Sequence, residues 1–216
     1  MAALLTIAWL ITFFAFPPPG PGTATEHLRD LAAEDFRGSI AFVVVLPLAL
    51  ILAPVWFALA ARAWRASPVA AVLAPTFGLL YAPCSLMAYW SQLTVARGLA
   101  DAYASDPRAA VAAYQLFDFG STTSFTFALD EGGYAILGLA SFAAAVLLRS
   151  DGRLGLLAGA ALALSGVLSI VGATGLALRV SIMEAGAVAS GPPFLVGIVA
   201  VAVLLRRGQV AAAPVN

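Results

Sequence analysis

Charge is scarce in this chain. Only 10% of its 216 residues are charged and 62% are hydrophobic, against about 25% charged in an average soluble domain. So little polar surface cannot cover a soluble core, so the composition implies an integral membrane protein. Lysine is absent, and all eleven basic residues are arginine. That bias fits a GC-rich bacterial genome and places the protein in a bacterial inner (plasma) membrane. Net charge is zero, which excludes a nucleic-acid partner and a polybasic lipid clamp. The single cysteine, Cys84, excludes an intrachain disulfide and any multi-cysteine metal or iron–sulfur centre. The single histidine, His27, excludes a bis-histidine haem and most zinc sites. There is no P-loop, no H-E-x-x-H and no G-x-S-x-G. No catalytic residue, metal or cofactor is therefore assigned.

What the chain does have is long apolar runs. Six spans are expected, at about 2–16, 39–61, 69–95, 132–148, 154–177 and 185–205. Together they make one all-α transmembrane domain over 1–216. The first run ends at Pro17-Pro18-Pro19-Gly20-Pro21. A signal peptide is the rival reading, but the positive n-region is missing and Gly22-Thr23-Ala24 is a poor cleavage site. Fifteen residues rise only ~22 Å against a core of ~30 Å, so this span is short. The second run carries Pro47 and Pro54, and the third carries Pro75, Gly78 and Pro83. Proline removes a backbone donor, so both helices are expected to kink. The fifth carries Gly155, Gly159 and Gly166 on one face. That small-xxx-small pattern lets helix backbones approach closely. The last is interrupted at Gly191-Pro192-Pro193. None of these runs puts an ionisable residue at mid-depth, which disfavours proton relays, ion pumps and voltage sensors.

Two polar segments, 17–38 and 97–131, interrupt the apolar pattern. In the first, Thr23 and Glu26 have capping-box spacing. Leu28, Leu31, Ala32 and Phe36 follow at near-helical spacing, predicting a short interfacial helix with His27 on its surface. In the second, Ser105-Asp106-Pro107 predicts a helix start. Ala110, Val111, Tyr114 and Phe117 then form one apolar stripe. The expectation is an amphipathic helix over 107–118 lying on the outer membrane surface between spans three and four. Residues 119–129 read as a re-entrant stretch or an extension of the fourth span.

Arginine sets the topology. Arg62, Arg65, Arg149, Arg153, Arg206 and Arg207 crowd the short loops of one face with a single acid, Asp151. Short arginine-rich loops mark the cytoplasm, so both termini are expected there, with 17–38 and 97–131 outside. Three spans on each side of a long outer segment also match the plan of an inverted repeat. The halves share no convincing sequence similarity.

A candidate outer cavity follows from these placements. It comprises Tyr81, Cys84, Tyr89, Gln92, Tyr114, Asp118, Asp130 and Glu131, with Tyr81 deepest and the helix over 107–118 as a lid. Each has a blander reading: Tyr89 and Tyr134 as aromatic belt, Cys84 as a small core residue, Asp130-Glu131 as a solvated helix start. The stretch LLRSDGRLGLLAGAALALSGVLSIVGATGLAL (147–178) resembles uncharacterised bacterial six-helix membrane proteins. That likeness implies a multi-pass topology and no catalytic residues. Together these features suggest a non-enzymatic accessory or structural subunit. It would pack against membrane lipids, a second copy of itself or a larger membrane complex. The alternative is a small transporter, or a lipid- or small-molecule-binding protein, with an outward cavity.

Overall fold

A computed structural model describes residues 1–15, 22–33 and 39–212. Among them the secondary structure is helical. α1 spans Ala2–Ala15, α2 Ala24–Ala33, α3 Ile40–Ala63, α4 Pro68–Ser91, α5 Arg97–Ala102, α6 Pro107–Tyr114, α7 Phe125–Leu147, α8 Gly152–Leu178, α9 Ser181–Ala189 and α10 Gly191–Ala212. A π-helical turn at Gln92–Ala96 joins α4 to α5.

Five helical stretches are long and apolar enough to cross a membrane: Ile40–Ala63, Pro68–Ala102, Phe125–Leu147, Gly152–Leu178 and Ser181–Arg207. The chain is a multi-pass helical membrane protein. Large apolar side chains such as Leu50, Phe57, Leu80 and Leu157 are at least half exposed on the outside of the bundle, as contact with lipid requires. α1 has only 14 residues, rising ~21 Å, and falls short of a span by length. The expected count of six thus becomes five such stretches and one short apolar helix.

Three expected boundaries move, each for a local reason. The third stretch continues past residue 95 to Ala102. The π turn absorbs the extra residue there, and Gly98 alone does not stop the helix. The fourth helix begins at Phe125, seven residues before the expected 132. Ser124 caps it, its side chain accepting the Phe127 amide. Asp130 and Glu131 therefore lie inside the helix, not at its start. The last stretch begins at Ser181 because Arg179 closes α8 in the left-handed conformation, φ 57°. That conformation is uncommon for a non-glycine residue. The four prolines of spans two and three lie inside continuous helices.

α3 packs on α4, α4 on α7, α7 on α8, α8 on α10, α10 on α1 and α1 on α3, closing a ring. Glycines set the closest approaches. A Cβ on Gly138 of α7 would come within 2.8 Å of the Gly166 carbonyl of α8. Gly159 sits 3.1 Å by the same measure from the Ala145 carbonyl of α7, whereas Gly155 faces Leu148 and Asp151 in its own turn. Gly172 takes α9 against its backbone at Ala187. The glycine faces of α8 are thus filled by helices of the same chain. Trp56, fully buried on α3, fits against Gly78 of α4.

The ring has two distinct ends. At one, Arg62 pairs with Asp151 at 3.0 Å, bringing the α3–α4 and α7–α8 turns together. At the other, α2, α5, α6 and the segment 115–124 form a cap.

Candidate functional site

The cap is tied down by side chains, beginning with α2. Its start is the expected capping box. The Thr23 amide and hydroxyl donate to Glu26 Oε2, both at 2.8 Å, and the Glu26 amide donates to Thr23 Oγ1 at 3.3 Å. These bonds from Thr23 hold the Glu26 carboxyl below its ordinary value. Phe36, expected on the same face, lies outside the described residues.

His27 is not a surface residue. It is 6% exposed, and its Nδ1 lies 2.8 Å from Asp118 Oδ1 across 91 positions of chain. The same oxygen accepts the Gly120 amide at 3.0 Å. The ring is gripped between Gly22 and Gly120, either of which would clash with it if it carried a Cβ. The His27 correction has a physical cause. A helix of polar average composition looks solvated, yet one turn of it buries His27 and Leu28 beneath the 118–120 turn.

α6 starts at Pro107, with Asp106 accepting the Ala109 amide, and ends at Tyr114 rather than at 118. Its underside, Ala110 and Tyr114, packs with Leu28, Ala96 and Ala100. Burial pushes the Tyr114 phenol up from its ordinary range, and the nearby Asp118 charge adds to this. Arg97 Nη1 donates to the Leu31 carbonyl at 3.1 Å. Gln92, in the π turn, donates to the Phe117 carbonyl at 2.7 Å. The π turn therefore carries the side chain that anchors the cap to α4.

Below these ties the segment 115–124 sends Phe119 down into the ring. Phe119, Phe42 and Tyr89 form a triangle of rings with centroids 5.4, 5.7 and 5.7 Å apart, distances at which aromatic pairs attract. Beneath this plug lies the polar centre of the protein. Tyr89 OH is 3.2 Å from Tyr134 OH and approaches the Asp130 carboxylate. The Tyr134 ring is 6.4 Å from Tyr81 on one side and 6.4 Å from Trp9 on the other. Cys84, half-buried, meets α7 at Gly133, where a Cβ would stand 3.3 Å from its own. Asp130 is 5% exposed. Its Oδ1, and Oε2 of Glu131, are fully buried with no hydrogen-bond partner among the described residues. A buried carboxylate oxygen without a partner costs several kcal/mol, on the order of the desolvation of a charge. Asp130 lies ~8 Å along α7 from its first residue.

The expected site residues thus divide into two groups. Tyr81, Tyr89, Cys84, Asp130 and Glu131 gather where α4 meets α7. Gln92, Tyr114 and Asp118 belong to the cap and face α2 or the 115–124 segment. Sequence reasoning missed His27, Phe119 and the central place of Tyr134. For Tyr134 there was a signal: it follows Asp130 by four residues and so shares its helix face.

The centre of the ring, beyond Tyr81 and Tyr134, is hollow. The cavity leaves about 30 Å³ in which a water-sized sphere can be centred, room for one or two waters. Thr6, Tyr81, Tyr134, Ser165, Ser169 and Ser190 place hydroxyl-bearing side chains on an otherwise mostly apolar wall. Among the described residues no three His, Cys, Asp or Glu side chains gather as a metal site.

Against protein-family models, curated proteins and solved structures alike, the chain has no match. The resemblance of 147–178 to six-helix membrane proteins therefore brings no family with it, and function must be argued from the site.

Proposed function

We propose that this is a small bacterial inner-membrane transporter or solute-binding protein that takes up a small cationic solute from its capped end. One observation carries the reading: two adjacent acidic residues of α7 each keep a fully buried, unpartnered carboxylate oxygen beneath a closed cap. A positive group would supply the missing partner. The rings of Tyr89 and Tyr134 beside Asp130 favour an organic ammonium through their faces. On this reading the cap lies outside, α1 completes a sixth, short span, and α6 lies along the outer surface as an amphipathic roof. The other reading, an accessory subunit packing on partner helices, rests on the small-residue faces and on the lack of an in-membrane charge; Asp130 and Glu131 inside α7 bear on the second. Gly159, Gly166 and Gly172 meet α7 and α9 of the same chain, which removes the first.

Methylammonium chloride is a suitable probe, titrated at constant ionic strength in potassium chloride. A ligand that binds only the folded state raises the melting temperature as its concentration passes the dissociation constant. We expect a saturable rise for the unaltered protein and none for Asp130→Asn. An equal response in both, or none in either, rejects the reading.

A further inference from the structure

The sequence offers a second feature that the acidic site does not use, the break at Gly191-Pro192-Pro193. In an α-helix each amide bonds the carbonyl four residues earlier. Pro192 and Pro193 have no amide hydrogen, so the carbonyls of Val188 and Ala189 lose the donors they would have four residues on, and the Val188 carbonyl takes the Ser190 amide instead. The chain resumes its ladder only at Phe194, whose amide bonds the Ser190 carbonyl at 3.1 Å. The break therefore carries more acceptors than donors.

That break opens onto the hollow centre of the ring through Ser190 and Gly191. The hydroxyls lining the hollow lean the same way. Thr6 donates its hydrogen to the Ala2 carbonyl at 3.0 Å, and Ser190 donates to the Ala187 carbonyl at 2.7 Å. Both keep their lone pairs. Ser165 and Ser169 are each 3% exposed, and both line the hollow. The hollow is too small for an organic solute, and no cationic side chain lines it to hold an anion. No carboxylate lines it, so a divalent ion would not recover its hydration there. We infer that the hydroxyl-lined cavity at the α9–α10 break is a binding site for a small hard monovalent cation of the sodium class, held by the side-chain oxygens of Thr6, Ser165, Ser169 and Ser190. Tyr81 and Tyr134 stand between this site and Asp130, so the two sites share a wall. The inference nevertheless stands on different residues from the solute reading.

The test is equilibrium binding of radioactive sodium to the purified full chain in detergent, with choline chloride holding ionic strength constant. We expect saturable binding of one ion per chain, with potassium a weak competitor. An oxygen bound to a charge contributes at the level of a charge-assisted hydrogen bond, so Ser165→Ala and Ser169→Ala should each weaken binding about tenfold. Asp130→Asn should leave the affinity within about twofold, because the cation is held by neutral oxygens. The single variants remove one hydroxyl each, and size-exclusion profiles establish that they fold. A third variant, Ser190→Ala, serves if either does not. No saturable sodium binding, or unchanged affinity in the serine variants, overturns the inference. So does loss of binding in Asp130→Asn with the serine variants unaffected, which would put the ion at the acidic pair. Loss of the methylammonium response in Asp130→Asn with sodium binding intact is the pattern expected if both readings hold.

Discussion

The Asp118→Ala variant tests whether the cap is latched. Asp118 Oδ1 accepts two bonds, from His27 Nδ1 at 2.8 Å and from the Gly120 amide at 3.0 Å. A carboxylate only accepts, so Nδ1 carries the hydrogen in this pair. Truncation removes the one acceptor that both donors share. Asp118 is 2% exposed and His27 6%, so water does not replace the lost acceptor while the cap stays closed. Orphaning a buried donor costs about 1–3 kcal/mol, so the two together weaken the closed cap by roughly 2–6 kcal/mol. At 1.4 kcal/mol per factor of ten, even the lower figure makes the open cap ~30-fold more populated.

The penalty falls on the docking of α2 and the 118–120 turn, not on the helix ring. Hydrogen exchange read by mass spectrometry resolves that difference. Amides of 26–33 should exchange at least ~30-fold faster in Asp118→Ala, while those of 155–175 in α8 keep their protection. Gly120→Ala should reproduce the pattern, because its Cβ would occupy the place of the pinned imidazole. If α2 exchanges at the same rate in all three proteins, the histidine–aspartate pair does not hold the cap. If α8 loosens equally, the cap is not a separate unit.

Two further outcomes are expected. Gly166→Leu should lower the melting temperature in detergent far more than Leu164→Ala, since a Cβ at 166 already stands 2.6 Å from the Gly138 carbonyl and overpacking of this kind costs ~1–3 kcal/mol or more; equal melting temperatures would remove the close α7–α8 contact. If, as proposed, the cap lies outside and the Arg62–Asp151 end inside, a reporter active only outside the cytoplasm should be silent after Arg207 and active when inserted next to Asp106. The reverse pattern inverts the proteins' orientation and moves the solute site to the cytoplasmic side.

Much of the architecture was legible because hydropathy reports it directly. Runs such as 40–63 and 152–178 contain almost nothing but apolar and small residues, and their ends carry arginine. The capping signals were equally plain. Thr23 and Glu26 bond each other as their spacing predicts, and Asp106, just ahead of Pro107, accepts the Ala109 amide. The start of α7 was misplaced because 119–131 mixes hydroxyls, aromatics and acids. Ser124 is a good cap, but Ser121, Thr122 and Thr123 beside it are equally good candidates, and only the bond to the Phe127 amide selects it. The π turn at 92–96 left no mark in composition at all.

The candidate site was harder to read for a different reason. Depth was inferred from the hydropathy of each segment, as if every segment met the same surroundings. Polar segments read as solvated on that basis, which puts His27 at the surface and gives Asp130, a candidate cavity residue, its blander reading as a solvated helix start. Both assignments fail where two polar segments bury each other. His27 and Asp118 each lower the hydropathy of their own stretch, yet they satisfy one another across 91 positions. Asp130 differs in the way that matters for function. It is buried by the same folding of the cap, with Phe119 driven between Phe42 and Tyr89 above it, but the fold supplies no partner for its Oδ1. The 118–120 turn can satisfy a histidine because the chain brings acceptor and donor together. The α4–α7 seam brings the Tyr89 phenol up beside the carboxylate and leaves Oδ1 without a partner among the described residues. A buried polar residue with its partner in the chain is accounted for by folding, whereas one without a partner points to a group the chain does not contain.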